Sequence, residues 1–177
     1  MATLNNVLDA IERHIGFPRS RSSGVARRLQ ESGLLPVGAP GVAPELDEDD
    51  ACVLLATLMS APKLHEAVDH ARAYAAMTPG GAVLSADAPD SIPRSAREYL
   101  AARAWVVISG EPDAVADIRS HRFEFEHFWR EFSAHTPEGT VTRFVLPGAL
   151  ASHQQAPYRI AGVVNGEAFV NLIKDLF

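Results

Sequence analysis

The sequence holds a single cysteine, Cys52, among 177 residues. One thiol cannot build a disulfide framework or a multi-cysteine metal site, so both are excluded. Cys52 lies in an apolar helical stretch and is predicted to be a buried core residue rather than a nucleophile. No apolar run reaches the ~18 residues of a membrane-spanning helix, and the early acids Asp9 and Glu12 are unlike a signal peptide. We therefore expect a cytoplasmic protein without membrane association.

Enzymatic and metal-binding patterns are also scarce. The sequence has no G-x-S-x-G motif and no phosphate-binding glycine loop, so it predicts neither an enzyme nor a cofactor. His65 and His70 are five residues apart, which is not the i,i+4 spacing that aims two ligands at one metal. A second cluster, of acids and histidines, lacks the cysteine or closely spaced second histidine that a known metal-binding pattern requires. We therefore interpret it as a solvated helix face. That cluster consists of Asp117, His121, Glu124, Glu126 and His127.

Lysine occurs only twice, and the arginines that supply most of the positive charge are unevenly placed. Five of them lie within Arg13–Arg28, a stretch with no acid between Glu12 and Glu31. The formal net charge is -6, yet residues 1–40 carry five arginines against three acids, and the remainder therefore carries -8. An acidic bulk keeps non-specific DNA binding weak, while a local basic patch can still dock on a phosphate backbone.

The N-terminal residues predict two helices separated by a short break. Apolar residues at helical spacing indicate a first helix from Leu4 to Ile15, capped by Thr3 and ended by Gly16. Proline disfavours helical geometry at the preceding residue, so Phe17-Pro18 forms the break. A second helix follows and stops at Gly33. Its capping candidates are Ser20, Ser22 and Ser23, and its predicted buried residues are Val25, Ala26 and Leu29.

A loop and two further helices are predicted next. Residues 36–46 are rich in Gly and Pro and contain no Lys or Arg, so they predict no basic wing beside the second helix. Acids at 45 and 47–50 crowd the first turn of a third helix, where they favour the helix dipole. Pro62 opens a fourth helix with a narrow, Ala-rich seam. Such a seam suits close helix packing, including packing against a second copy of the chain.

The composition of residues 78–93 is that of a linker, with three Pro, two Gly and few large apolar side chains. We therefore predict a mainly α helix-turn-helix domain over residues 1–77. Residues 94–177 are predicted to form a small α+β domain for oligomerisation or sensing.

Within the second half, alternating polar and apolar residues and short apolar runs predict a mixture of helices and strands. Helices are predicted at 94–103 and, from aromatic residues spaced i, i+3, i+4, i+7, at 121–133. Residues 114–119 fit either a return strand or a short helix. The predicted strands cover 105–109, 140–146 and 159–164, and an amphipathic helix ends the sequence.

The second helix is the candidate DNA-binding element. With Val25 and Leu29 turned inward, one outward face carries side chains suited to base edges, because Arg pairs with guanine and Gln with adenine. Arginines at the preceding turn are placed for phosphate contacts. The predicted DNA-binding residues are Arg19, Ser20, Arg21, Ser23, Arg27, Arg28 and Gln30.

The stretch VLDAIERHIGFPRSRSSGVARRLQESGLLP resembles the helix-turn-helix of bacterial and phage transcription regulators. There a first helix ends in "IG" and a second ends in "RRLxxxGLL". The continuation through DDACVLLATLMSA is similar to small DNA-binding proteins of tailed phages, prophages and gene transfer agents, and the resemblance covers roughly residues 4–76. It implies that Ser23, Arg27, Arg28 and Gln30 occupy recognition-helix positions. It further implies that Arg19 and Arg21 occupy positions that contact the DNA backbone.

These observations together predict a sequence-specific binder of double-stranded DNA, most simply a phage-type transcriptional regulator. One recognition helix gives limited affinity, so a homodimer reading two half-sites is expected. The C-terminal half is then available for a protein partner. Two alternatives stay open: a small terminase-like DNA-packaging subunit, and a protein-interaction module that binds no nucleic acid. The module would dock through the Ala-rich fourth helix and the aromatic helix 121–133.

Overall fold

A computed structural model of the chain describes residues 1–61, 63–85, 87–89, 92–149 and 158–177. The helices are α1 (Leu4–Ile15), α2 (Arg19–Glu31), α3 (Glu48–Ser60), a 3₁₀ helix (Leu64–Glu66), α4 (Ala67–Ala76), α5 (Ala96–Ser109), α6 (Pro112–Ser120) and α7 (Gly166–Leu176). The strands are β1 (Ala2–Thr3), β2 (Glu45–Leu46), β3 (Thr78–Pro79), β4 (Arg122–Glu126), β5 (Phe132–His135), β6 (Val141–Val145) and β7 (Ala161–Asn165).

Helix α1 has the predicted bounds. The Oγ1 atom of Thr3 accepts a hydrogen bond from the backbone N–H of Asn6 at 3.3 Å, which satisfies one of the free donors of the first turn. At the other end Gly16 adopts φ +85°, a left-handed conformation that glycine reaches without a Cβ clash. The sequence prediction for this helix is therefore confirmed.

Helix α2 begins earlier than its serines suggested, and the predicted serine caps are wrong. The hydroxyl of Ser22 donates to the carbonyl of Pro18 at 3.3 Å, and that of Ser23 donates to the carbonyl of Ser20 at 3.1 Å. Glu12 of helix α1 supplies a cap instead, because its Oε1 accepts from the backbone N–H of Arg19 at 3.0 Å. The predicted inward stripe of Val25, Ala26 and Leu29 is confirmed as buried.

Helix α3 is the central element and begins with the predicted acidic turn. Asp47 and Asp50 form a reciprocal capping box, in which each carboxylate accepts from the backbone N–H of the other residue. All ten residues from Ala51 to Ser60 are buried. Cys52 is among them, which confirms its assignment to the core, and burial raises the pKa of its thiol.

The Ala-rich fourth helix starts at Ala67, after the 3₁₀ turn, while the predicted first residue, Pro62, lies outside the described residues. Ala67, Ala71 and Ala73 are buried, and α4 packs against both α3 and α5. The small side chains therefore serve contacts within the chain. This corrects the expectation that the seam faces a second copy or a protein partner.

Two predictions in the second half are wrong for the same reason. Residues 121–133 form the hairpin β4–β5 rather than a helix, with Phe125 opposite Phe132. Residues 105–109 extend helix α5 to Gly110 rather than forming a strand. In each case the apolar residues fit both the helical and the strand periodicity over a short window. Which residues become buried in the tertiary structure then selects the helix or the strand. The open alternative at 114–119 resolves as helix α6, which has Pro112 in its first turn.

The main sheet is antiparallel with strand order β3-β6-β5-β4-β7. The strands predicted near 140–146 and 159–164 are confirmed, and so is the C-terminal helix. One face of the sheet carries aromatic side chains against the helices. The ring centroids of Phe125 and Phe132 are 5.0 Å apart, and those of Tyr99 and Phe144 are 5.2 Å apart. Helices α4 and α5 cover this face through Tyr74 and Tyr99.

The chain is a mixture of helices and a small antiparallel sheet, as predicted, but one buried cluster contains residues from both predicted domains. Helix α1 packs on α7, and α3 packs on α5 and β7. Within the predicted linker, Thr78 and Pro79 pair with Val145 and Phe144 of strand β6. These residues therefore belong to the sheet and do not space two separately packed units. No helix among the described residues is both long and apolar enough to cross a membrane.

Candidate nucleic-acid interface

Helices α1 and α2 are joined by the three residues 16–18, and α2 buries one stripe while it exposes the opposite side. Four of the predicted DNA-binding residues are solvent-exposed on α2 and form its exposed ridge: Ser20, Ser23, Arg27 and Arg28. Arg19, Arg21 and Gln30 are only partly exposed. The structure therefore separates the predicted site into an outward group and a group engaged with the rest of the protein.

Arg19 is engaged with helix α1. Its Nη2 donates to Oδ1 of Asn5 at 2.9 Å, and its Nη1 donates to the backbone carbonyl of the same residue at 3.3 Å. The guanidinium also forms an ion pair with Asp9. These contacts fix the angle between α1 and α2, so Arg19 acts in the helix pair rather than as a free phosphate contact.

Arg21 is engaged with helix α3. Its Nη2 donates to the carbonyl oxygen of Ala61 at 2.6 Å, just beyond the C-terminus of α3. The guanidinium carbon also lies 6.0 Å from the ring centroid of Phe17, within the range of a cation–π contact. Arg21 thus ties α2 to the core and brings positive charge to the neighbouring surface.

Arg27 and Arg28 share one acidic partner, Glu31. The Nε atom of Arg27 lies 2.9 Å from one carboxylate oxygen, and Nη1 of Arg28 lies 3.3 Å from the other. The side chains remain 81% and 54% exposed. Exposed pairs at this helical spacing contribute only about 0.3–0.5 kcal/mol. A phosphate, which forms strong charge-assisted bonds with guanidinium, can displace Glu31 at small cost.

Two of the three uncharged polar residues of the site, Ser23 and Gln30, also make internal contacts. Ser23 donates to the carbonyl of Ser20 at 3.1 Å, and the Nε2 donor of Gln30 binds the carbonyl of Pro36 at 2.8 Å. Bidentate adenine recognition by Gln30 requires this amide donor. Because the amide nitrogen carries two N–H donors, the contact with Pro36 leaves one of them for a base.

A second group of polar residues lies beside α2 and was not singled out as a DNA-binding site from the sequence. A cleft of about 340 Å³ separates the 3₁₀ helix from the turn that joins β4 to β5. Its lining residues are Lys63, Glu66, His70, His127, Phe128 and Arg130. We call it the hairpin cleft. No local pattern predicts this cleft, because residues 63–70 and 127–130 are brought together only by the fold.

The histidines and acids considered for a metal site behave as structural residues. His121 is buried, and its Nε2 lies 3.4 Å from a carboxylate oxygen of Asp117, so the two do meet on one side of α6 as their spacing suggests. His127 binds the carbonyl of Met59 at 2.9 Å. Within the described ranges, no group of three or more His, Cys, Asp or Glu side chains is arranged to hold a metal ion.

Comparison with known proteins adds no further constraint. No protein-family model matches the chain, and neither a curated protein nor a solved structure shows significant similarity to it.

Proposed function

We propose that the protein binds double-stranded DNA through helix α2, in the manner of a phage-type transcriptional regulator. The observation that carries the proposal is the exposed ridge of α2. Arg27 and Arg28 project there from a helix whose opposite stripe is buried in the core. A helix held in this way presents one face to a major groove, with side chains that suit phosphates and base edges.

The internal contacts of α2 support a rigid presentation of this face. Arg19 binds α1, Arg21 binds the end of α3, and Glu12 caps the first turn of α2. Preorganised helices lose less conformational freedom on binding than flexible ones. With only two outward arginines on α2, a single copy has few phosphate contacts. A homodimer with half-sites about 34 Å apart, one turn of DNA, would supply the rest.

A salt titration of DNA binding tests the proposal. A fluorescent duplex pool from the neighbourhood of the gene serves as the ligand. The logarithm of the binding constant should fall with the logarithm of salt concentration, with a slope of about -0.9 per neutralised phosphate. The double variant Arg27→Ala/Arg28→Ala should abolish binding while it retains the wild-type circular dichroism spectrum.

Arg13→Ala is the matched control, because Arg13 is also exposed and ion-paired but binds Asp175 on the side of α1 that faces α7. It should leave binding within about twofold of wild type. Absence of wild-type binding at low salt refutes the proposal. Binding that survives the double variant refutes the assignment to α2. A large ring-shaped oligomer in light scattering would favour the terminase-like alternative over a dimeric regulator.

A protein-interaction module remains the second candidate because of one observation. Phe128 and Trp129, at the turn of the β4–β5 hairpin, are 57% and 48% exposed, and Tyr158 contacts Phe128 with its ring. The two surfaces that the sequence predicts for such a module do not form: the Ala-rich seam of α4 is buried within the chain, and 121–133 is not a helix. Loss of a protein partner on Phe128→Ala, together with no DNA binding by the wild type, would favour this candidate.

A further inference from the structure

The hairpin cleft and helix α2 are attached to the same short segment of the chain. The imidazole Nε2 of His127 is 2.9 Å from the carbonyl oxygen of Met59. Two residues later, the carbonyl of Ala61 accepts the hydrogen bond from Arg21 of α2. Consecutive Cα atoms are about 3.8 Å apart, so these two anchor points lie within roughly 8 Å of each other. The hairpin turn and the start of α2 are therefore neighbours.

The 3₁₀ helix fills the space between them. The side chain of Leu64 lies against Gly24 of α2, where an added Cβ would meet its Cδ1 at 3.6 Å. Positions 21, 24 and 28 of a helix share one side because of the 3.6-residue repeat. Arg21, Gly24 and Arg28 therefore form the flank of α2 that faces the 3₁₀ helix. Lys63 lies next to that helix and also lines the cleft.

The balance of charge in the cleft is positive. Lys63 and Arg130 oppose a single lining carboxylate, Glu66, which lies 3.7 Å from the ammonium of Lys63. Among the described residues, no carboxylate lies within ion-pair distance of Arg130. Burial and then the charge of Arg130 lower the pKa of His70, against the opposing effect of the Glu66 and Asp69 carboxylates. Neutral imidazole still offers one N–H donor to an anion.

The turn that carries Arg130 is held in one conformation. Arg130 has φ +52°, in the left-handed region that non-glycine residues rarely occupy and that costs about 1 kcal/mol or more. The buried carboxylate of Glu126 accepts the backbone N–H of Trp129, and the N–H of Glu126 donates to the carbonyl of Glu131 at 2.8 Å. The hairpin therefore presents Arg130 at a fixed position over the cleft, as an anion site requires.

We propose that the hairpin cleft binds a backbone phosphate of the same DNA that helix α2 contacts. Lys63 and Arg130 supply the charge, and Phe128 forms the apolar wall against the adjoining sugar. This inference rests on the proposed function and adds to it a second contact element. The β4–β5 hairpin then takes the place of the basic wing that is missing after α2 in the sequence.

A phosphodiester fits the cleft better than a larger or more apolar ligand. The volume of about 340 Å³ accommodates a phosphate with part of its sugar, and five of the six lining side chains are polar. A phosphate bound there would lie across the 3₁₀ helix from the Arg21–Arg28 flank of α2. Non-specific phosphate contacts of this kind fix the register of a protein on the duplex.

The test is a salt titration of the double variant Lys63→Ala/Arg130→Ala. If each side chain neutralises one phosphate, the slope of log K against log salt should become less steep by about 1.8. The matched control Lys174→Ala/Arg13→Ala removes the same two side-chain types from the α1–α7 side and should leave the slope unchanged. Binding at low salt should persist in the cleft variant, in contrast to Arg27→Ala/Arg28→Ala.

The outcomes separate the two proposals. If wild type binds no DNA, the proposed function fails first. If wild type binds and the cleft variant keeps the wild-type slope, the cleft proposal alone is overturned. Imidazole NMR signals of His70 and His127 should shift on addition of duplex DNA. Equal shifts with inorganic phosphate at the same phosphate concentration, and no change of slope, would assign the cleft to free anions and overturn the DNA contact.

Discussion

Arg21 donates a hydrogen bond from Nη2 to the carbonyl oxygen of Ala61 at 2.6 Å, and this bond joins helix α2 to the end of helix α3. Arg21 was predicted as a phosphate contact because it begins a basic helix. The structure gives it a second role, since a carbonyl just beyond a helix C-terminus has no helical donor of its own. One arginine of the segment proposed to bind DNA therefore contributes to stability, while Arg27 and Arg28 remain exposed on the surface.

Replacing Arg21 by Ala should lower the free energy of unfolding by roughly 1.5–3 kcal/mol, the usual contribution of a hydrogen bond to a charged group. Urea denaturation followed by circular dichroism measures this change. Arg27→Ala is the control, because it removes only an exposed pair with Glu31 and should cost no more than about 0.5 kcal/mol. Equal losses in the two variants would show that the Arg21–Ala61 bond contributes nothing particular.

The Arg97–Asp49 pair joins helix α5 to the start of α3. The Nε of Arg97 lies 2.8 Å from one carboxylate oxygen, and its Nη2 lies 2.5 Å from the same atom. A double-mutant cycle with Arg97→Ala and Asp49→Ala should give a coupling energy of about 1 kcal/mol, near the upper end for partly exposed pairs. Raising the salt concentration to 1 M should reduce it. A coupling energy within error of zero would remove this pair from the contacts that hold α5.

Asp50 should make stability fall as pH rises through the mildly acidic range. Burial, followed by the charge of Asp47, raises the pKa of its carboxyl from 3.8 to about 6. The folded protein therefore holds this proton more tightly than the unfolded chain. The resulting stability is fully present below pH 3.8 and is lost as pH rises through about 6.

Asp50→Asn keeps an acceptor for the capping box and removes this titration. Its stability relative to wild type should therefore increase between pH 4 and pH 7, which thermal unfolding at a series of pH values will measure. Glu48→Gln removes one negative charge from the same helical turn and serves as the control. A parallel pH dependence of wild type and Asp50→Asn would contradict the prediction.

Two glycines in helices should respond oppositely to alanine. At Gly166 a Cβ would overlap the carbonyl oxygen of Ile118, where α7 begins against the end of α6, so Gly166→Ala should destabilise by roughly 1–3 kcal/mol or more. At Gly24 the added methyl would meet the Leu64 side chain at 3.6 Å, an ordinary contact. Gly24→Ala should therefore stabilise by up to about 1 kcal/mol through helix propensity. Differential scanning calorimetry of both variants checks the opposite signs.

The elements with local signals could be predicted from the amino-acid sequence. Thr3 and Gly16 bound helix α1, and Asp47 and Asp50 begin helix α3, because capping depends on residues within a few positions of one another. The buried stripe of α2 and the core position of Cys52 also follow from helical spacing. These features are predictable because their free energy comes from short-range contacts along the chain.

The remaining features depend on contacts between distant parts of the chain. Residues 105–109 and 121–133 fit both helix and strand over short windows, and burial of Val107 on one helix face and of Phe123 and Phe125 on one sheet face selected the outcome. The partners of Arg19 and Arg21, the shared core and the hairpin cleft join residues far apart in the chain. Local sequence periodicity cannot predict such contacts, because the apolar burial that stabilises them depends on which helices and strands pack together.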